Sequence, residues 1–251
     1  MRIRLLNTVL PVALLVVLGL CWEASVHFFK IPVYMLPGPW KILEVMWQRM
    51  DLLAFHALVT LIEIGLGFLA ALVLGLILAI LIHSSRILER AFLPLIISSQ
   101  TVPVFAIAPL LILWFGYGIG SKVVMTAIIV FFPIVINTVE GLKAADPDTL
   151  ALLKILEATP WQVFFKVRVP QALPFVFSGV KIGVAVSVIG AVIGEWVGAR
   201  EGLGYLMIHA NAQLQVELVF ASIFWLSLIG MGLYGIVVVM ERVLVPWRGR
   251  G

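Results

Sequence analysis

Charge is what this chain has least of. Only 12% of its 251 residues are Asp, Glu, Lys or Arg, 63% are hydrophobic, and mean hydropathy is +1.16. A soluble domain is about 25% charged and about 45–50% apolar, so a water-soluble fold of this length has nowhere to hide the excess. Cysteine is nearly absent too. The lone Cys21 excludes an intrachain disulfide framework and supplies no metal-ligand spacing. Histidine is sparse and scattered: His27, His56, His83 and His209 fall in different segments and no two stand at i, i+4, so no metal site is expected. Neither a G-x-x-x-x-G-K-S/T phosphate loop nor a Ser/His/Asp constellation is visible, so hydrolytic chemistry finds no support and no catalytic residue is assigned.

What remains is apolar length. A membrane-spanning helix needs about 20 mostly apolar residues. Six windows qualify, at 7–27, 57–82, 92–115, 122–140, 175–198 and 216–240. The expected class is therefore all-α: one polytopic membrane domain over 1–251, with about six transmembrane helices and a core over 55–245. The first window, MRIR followed by an apolar run to Cys21, has the form of a signal peptide. Leu20 is not the small residue a cleavage site prefers, and the run reads as an uncleaved first span. The third window is the least regular, because Pro94, Pro103 and Pro109 interrupt it.

Cation placement sets the orientation. With the N-terminus inside, Arg2, Arg4, Arg86, Arg90, Lys143, Lys154, Lys166, Arg168, Lys181, Arg242, Arg248 and Arg250 are cytoplasmic, and Lys30, Lys41, Arg49, Lys122 and Arg200 are outside. Twelve of the 17 Lys and Arg against five favour both termini inside. The same distribution accounts for the net charge of +4 through membrane topology, so membrane lipid is an expected partner and nucleic acid is not.

Two loops stand out. Between the first two spans, Pro37-Gly38-Pro39 makes a turn, and Ile42, Leu43, Val45, Met46 and Met50 suggest an amphipathic helix on the outer surface. The long inner loop, 141–174, contains LEATPWQVFFKVRVPQALP. Here Thr159, Pro160 and Gln162 form a helix start with a capping box. The helix is expected to run from Trp161 to Val169 and to stop before Pro170, two to three turns in all. Trp161, Phe164 and Phe165 make an exposed aromatic patch, with Lys166 and Arg168 at the end where cations suit the helix dipole. Such a helix can lie on the bilayer, pack on its own bundle or dock into a partner's groove, and physics alone leaves all three open.

This loop resembles the cytoplasmic EAA loop of ABC-importer permeases, the binding-protein-dependent type I inner-membrane components. The likeness is carried by Ala158 to Val167, of the form A-S/T-P-W-Q-x-F-x-K-V, followed by V-P-x-A-L-P at 169–174. Further motifs resemble the branch of nitrate, sulfonate, taurine and thiamine-precursor importers: LPGP at 36–39, IAPLLILWFGYG at 107–118, FFPIVINTVEGL at 131–142, DP at 146–147 and IGEWVGAREGLGYLM at 193–207. They cover nearly the whole chain, in order.

The resemblance implies the type I importer permease fold and a coupling helix seated in a cytoplasmic ATPase. Glu157, Ala158, Thr159, Pro160, Trp161, Gln162, Phe164, Phe165 and Lys166 would form that contact. It further implies an ATPase dimer that binds the ATP and Mg²⁺ while this chain binds no cofactor. A second permease copy is implied, giving a homodimer, together with a periplasmic or lipid-anchored substrate-binding protein docking near Pro37–Trp47 and Arg200–Tyr205. The resemblance likewise implies the bacterial plasma membrane as the place and alternating access as the mechanism. The SQTVPVFAIAPLLILWFGYG run looks most like the thiamine-precursor pyrimidine branch, with nitrate, sulfonate or taurine as alternatives. The loop departs from the family in two places: Ala151, Leu152 and Leu153 replace its Glu-Ala-Ala, and Glu157 replaces its turn-making Gly, so the bend is expected to be shared with Ala158 and Thr159.

Candidate pathway residues are Gln100, Thr101 and Pro103 in the interrupted third span, and Ser187, Gly190, Gly194 and Glu195 in the fifth. Ser187, Gly190 and Gly194 belong to a ladder with Gly179, Gly183 and Gly198, which reads either as close helix packing or as a face lining the path. Glu63 and Glu195 are charges near span ends and thus functional candidates, or carboxylates reaching headgroups. The rival class is an ion-coupled secondary transporter, for which inverted repeats and midplane ionisable residues are the missing signs.

Overall fold

The computed structural model describes residues 2–249, with side chains described at 10 and 13–247. Arg2, Arg4 and Arg248 from the topology reading have no described side chain, and Arg250 lies outside the described residues. The elements are α1 (Arg2–Phe28), α2 (Pro39–Gln48), α3 (Met50–Ser84), α4 (Arg86–Ser99), α5 (Val104–Phe115), α6 (Ile119–Lys143), α7 (Pro147–Ile155), α8 (Pro160–Val163), a π-turn (Phe164–Arg168), α9 (Val169–Gly198), α10 (Leu203–Ala212) and α11 (Val216–Leu244). No strand occurs among the described residues.

Four of these helices are long and apolar enough to cross a membrane: α3, α6, the continuous run Pro160–Gly198, and α11. The bent pair α4–α5 makes a fifth. In α1 the apolar stretch is Ala13–Phe28. The window at 92–115 is thus two helices meeting at a 100° bend. Pro103 explains the break, since it has no N–H to give and drives Val102 out of helical geometry. The side chains of Ser99 and Thr101 donate to the carbonyls of Ile96 and Ser98, both at 2.7 Å, helping to close the first helix at the bend.

The centre is a three-helix stack of α3, α6 and α9. Its helices approach closely because the contact positions are small: Gly67 faces Thr126, and Gly179 and Gly190 face the backbone of α6. At one end of the bundle, called the near end below, lie α7, α8 and the π-turn. At the opposite, far end, Ile42, Leu53, Leu203, Leu206, Ala210 and Leu218 form a buried cluster joining α2, α3, α10 and α11. The helix expected at Pro37–Met50 is there as α2, but it presents a narrower apolar face. Ile42 is buried, Val45 and Met46 pack alongside, Leu43 stays exposed, and Met50 falls outside it as the exposed first residue of α3. Glu23 of α1 holds its start, accepting from the Trp40 N–H at 3.1 Å. Nearby, the Lys41 ammonium donates to Glu44 at 3.0 Å and holds that carboxyl below its usual range.

Candidate functional site

At the near end, Asp146 starts α7 by accepting from the backbone N–H and hydroxyl of Thr149, at 3.0 and 2.6 Å. Those donors hold its carboxyl below the usual range, the hydroxyl contributing most. The helix closes in a Schellman turn: the Glu157 N–H donates to the Lys154 carbonyl at 3.2 Å and the Ala158 N–H to the Leu153 carbonyl at 3.0 Å. Glu157 carries the turn alone, at φ +52°, in the left-handed region that glycine enters at least cost. The bend shared with Ala158 and Thr159 is therefore replaced by a tight turn in which one residue is strained. A left-handed conformation costs a residue with a Cβ about 1–2 kcal/mol. Glu157→Gly is accordingly expected to slow proteolysis of the 141–174 loop and Glu157→Val to speed it. Equal cleavage of all three proteins would sink this account of the turn.

Thr159 then starts the next helix with both arms of the capping box: the Gln162 N–H donates to its hydroxyl at 3.3 Å, and its own N–H donates to the Gln162 side-chain oxygen at 2.9 Å. The helix does not stop before Pro170. It widens into the π-turn, where the Val169 N–H donates to the Phe164 carbonyl five residues back, and runs on as α9 to Gly198. In a regular α-helix the Pro170 ring would meet the Lys166 carbonyl. A wide turn placed just before it displaces the carbonyls and lets the helix continue. Residues 160–198 thus form one continuous helix of 39 residues.

The aromatic patch is made of two residues of the expected three. Trp161 and Phe165 are 71% and 57% exposed and stack on each other, centroids 5.4 Å apart with planes 8° from parallel. Phe164 turns inward, onto a cavity shared with Ile80, His83, Ser84 and Arg168. Sequence reasoning missed the other half of the surface, for Leu152, Ile155 and Leu156 are exposed on α7 and its cap. The available signal was three large apolar side chains on a loop already placed outside the membrane. Gln162 and Lys166 are exposed beside the patch.

At the far end Glu63 and Glu195 do not reach headgroups. They are 2% and 1% exposed. Glu195 of α9 accepts from the Thr60 hydroxyl at 2.6 Å and from the Gly204 N–H. The Thr60 oxygen in turn accepts from the Leu203 N–H at 2.8 Å, and His56 Nδ1 accepts from the Gly202 N–H at 3.0 Å. The first N–H groups of α10, which have no partner within their own helix, are thus taken up by α3 and α9. Gly202 sits at φ +109° with Glu195 where a Cβ would go, so only glycine fits. Glu63 lies 3.6 Å from the ammonium of Lys122, a buried ion pair joining α3 to α6.

The other pathway candidates separate into two groups. Ser187, Gly190 and Gly194 are buried, and the two glycines lie against Thr126 and Lys122 of α6. The ladder is filled by helix packing and faces no open space, because a 30-residue helix lies on α6 along this stripe. Gln100, Thr101 and Pro103 are exposed at the α4–α5 bend. Gln100 and Ser99 line a cavity of 510 Å³ with Ala70, Leu74, Val123 and Phe131. No charged side chain lines it.

A family model described as binding-protein-dependent transport system inner membrane component matches residues 71–248. The chain is a member of that family. Among curated relatives, a probable ABC transporter permease protein of Haemophilus influenzae is 45% identical over 93% of this chain and 94% of its own length. The formylaminopyrimidine transport permease protein ThiX of Halalkalibacterium halodurans is 40% identical over 95% of both. The riboflavin transport system permease protein RibX of Chloroflexus aurantiacus is also 40% identical, over 95% of this chain and 89% of its own. Among solved structures, the MetNI methionine ABC transporter in inward-facing conformations matches at a TM-score of 0.61, over 78% of this chain and 97% of that one. At 19% identity that match speaks for the fold.

This permease is thus the multi-pass membrane subunit of an ABC importer, a transport component and not an enzyme. Family membership sets aside the ion-coupled carrier. An importer of this kind works with an ATPase and a substrate-binding protein.

Proposed function

We propose that the permease works as one of two identical copies on a pair of cytoplasmic ATPases, with the near end and both termini on the ATPase side, in the bacterial plasma membrane. Glu157, Ala158, Thr159, Pro160, Trp161, Gln162, Phe165 and Lys166 form the seat in the ATPase cleft, with Phe164 supporting it from behind. ATP and Mg²⁺ belong to the ATPase, and this chain binds no cofactor. The observation that carries the reading is the exposed Trp161–Phe165 stack on a helix that runs unbroken into a span. Two large stacked aromatics, exposed next to Leu152, Ile155 and Leu156 on a segment with no buried residue, need a partner surface. A continuous helix into the bundle gives that partner something to move.

The solute is a small uncharged heteroaromatic of the thiamine-precursor pyrimidine type, brought by a binding protein that docks near Pro37–Trp47 and Arg200–Tyr205. Support comes from the cavity at the α4–α5 bend, whose Gln100 and Ser99 offer hydrogen bonds and whose lining offers no cation. Nitrate, sulfonates and taurine each carry an anionic group that would ask for one.

The test of the coupling seat is co-purification with the cognate ATPase. Trp161→Ala combined with Phe165→Glu is expected to abolish it, while Phe28→Glu, on an exposed ring of α1 at the other end, leaves it intact. Association that survives the double substitution removes the seat from this segment.

A further inference from the structure

Arg168 has no carboxylate partner among the described residues, although it is half-buried in an apolar bundle. Its guanidinium is always charged and presents five N–H donors in a planar fork. Here Nη1 donates to His83 Nε2 at 2.6 Å and to the Leu142 carbonyl at 3.4 Å. A guanidinium only donates, so that ring nitrogen accepts and the imidazole is the tautomer protonated at Nδ1. His83 is in the last turn of α3, and Leu142 is in the last turn of α6. The Leu142 carbonyl is among the last four of its helix, which find no N–H partner within it. The negative ends of two helix dipoles therefore converge on this cation and stand in for the missing carboxylate.

The place of Arg168 in the chain gives this arrangement a use. It is the last residue of the π-turn, the one irregular point in the 39-residue helix between the exposed Trp161 and the spanning α9. A wide turn is the weak joint of a lever, since its hydrogen-bond register is broken there. The same side chain ties that joint to the near ends of α3 and α6, two of the helices that pack on α9.

We propose that Arg168 is the positioning residue that makes the coupling segment, α3 and α6 move as one body, by locking the π-turn to the C-terminal ends of both helices. A push on Trp161 and Phe165 then reaches the central stack through Arg168 and does not dissipate at the π-turn. The inference rests on the coupling seat proposed above, and adds to it a transmission step through residues outside that seat.

The experiment uses the complete permease–ATPase complex in proteoliposomes with its binding protein. It reads both complex stoichiometry and the stimulation of ATP hydrolysis by loaded binding protein. Arg168→Ala is expected to cut that stimulation about fivefold or more with stoichiometry and unstimulated hydrolysis unchanged. His83→Ala should do the same, whereas His83→Gln, whose amide oxygen can still accept from the guanidinium, should restore most of it. Arg168→Lys, which keeps the charge at the two helix ends without the fork, should fall between. Full stimulation in Arg168→Ala overturns the proposal. So does loss of the ATPase from that variant, which would make Arg168 a docking residue, and so does a His83→Gln no better than His83→Ala. If the Trp161/Phe165 double variant keeps its ATPase, it is the seat that fails, a result read from binding and thus separate from the stimulation assay.

Discussion

Glu195→Ala is expected to destabilise the permease by about 1–3 kcal/mol and to release α10 from the far end. The carboxylate accepts from the Thr60 hydroxyl of α3 and from the Gly204 N–H at the start of α10. Removing it strands the buried Gly204 N–H, whose desolvation adds to the lost bond, and leaves the Thr60 hydroxyl only the His56 carbonyl at 3.1 Å to donate to. The damage spreads, because Thr60 also accepts from the Leu203 N–H and is oriented by both bonds. Glu195→Gln is the milder change, for its amide oxygen can still accept from one donor while the amide NH₂ confronts the other. The expected order in thermal unfolding of the detergent-solubilised protein is wild type, then Gln, then Ala. Cysteine labelling at Met207, placed on half-buried α10 as Met207→Cys, should quicken in the same order. An Ala variant with unaltered unfolding and labelling would mean that the start of α10 is held by the surrounding apolar cluster alone. That cluster, with Leu203 and Leu206 buried against Leu53 and Leu218, is the competing source of stability.

The contrast between this network and the near-end loop shows what could be read from residue order. The capping box at Thr159 and Gln162 was legible because its two members are three residues apart and the geometry is local. Glu195 was legible as a charge in the wrong place, but its partners were not. Thr60 and His56 are 135 and more than 140 residues away from the groups they meet, and nothing in their own neighbourhoods marks them. Pro170 was misread for a related reason. Locally it says stop, and the helix continues because the π-turn before it makes room, with Arg168 held against the ends of α3 and α6. Glu157 shows the reverse case, where backbone geometry prevailed over residue type. The turn needed a left-handed residue, and a glutamate adopted it. The break at 92–115 lies between these cases: its prolines marked an interruption, while the 100° angle separates α4, packed on α3, from α5, packed on α6 and α9, contacts that residue order does not show.

The small-residue ladder on α9 makes a graded prediction that separates its two readings. A Cβ at Gly179 would come within 2.6 Å of the Pro133 carbonyl oxygen and 2.9 Å of the Asn137 Cβ. At Gly190 it would meet the Thr126 Cα at 2.9 Å, and at Gly194 the Lys122 Cα at 3.2 Å. At Gly183 the nearest atom is a Val130 methyl at 3.1 Å, the end of a side chain that can turn away. Backbone cannot yield without moving a whole helix, so overpacking costs about 1–3 kcal/mol where backbone is in the way and less where a methyl is. Alanine substitutions should therefore destabilise in the order Gly179, Gly190, Gly194, Gly183. Gly232 on α11, where a Cβ meets nothing within 4 Å, serves as the neutral control. Expression and unfolding temperature in detergent measure the order, and transport in the folded variants measures function. If stability follows the order and transport falls only as stability does, the stripe is the contact that keeps α6 and α9 together during the stroke. If instead all four variants fold like Gly232→Ala and fail to transport, the stripe lies open to the solute in the working assembly, and the close approach to α6 belongs to one state of the cycle.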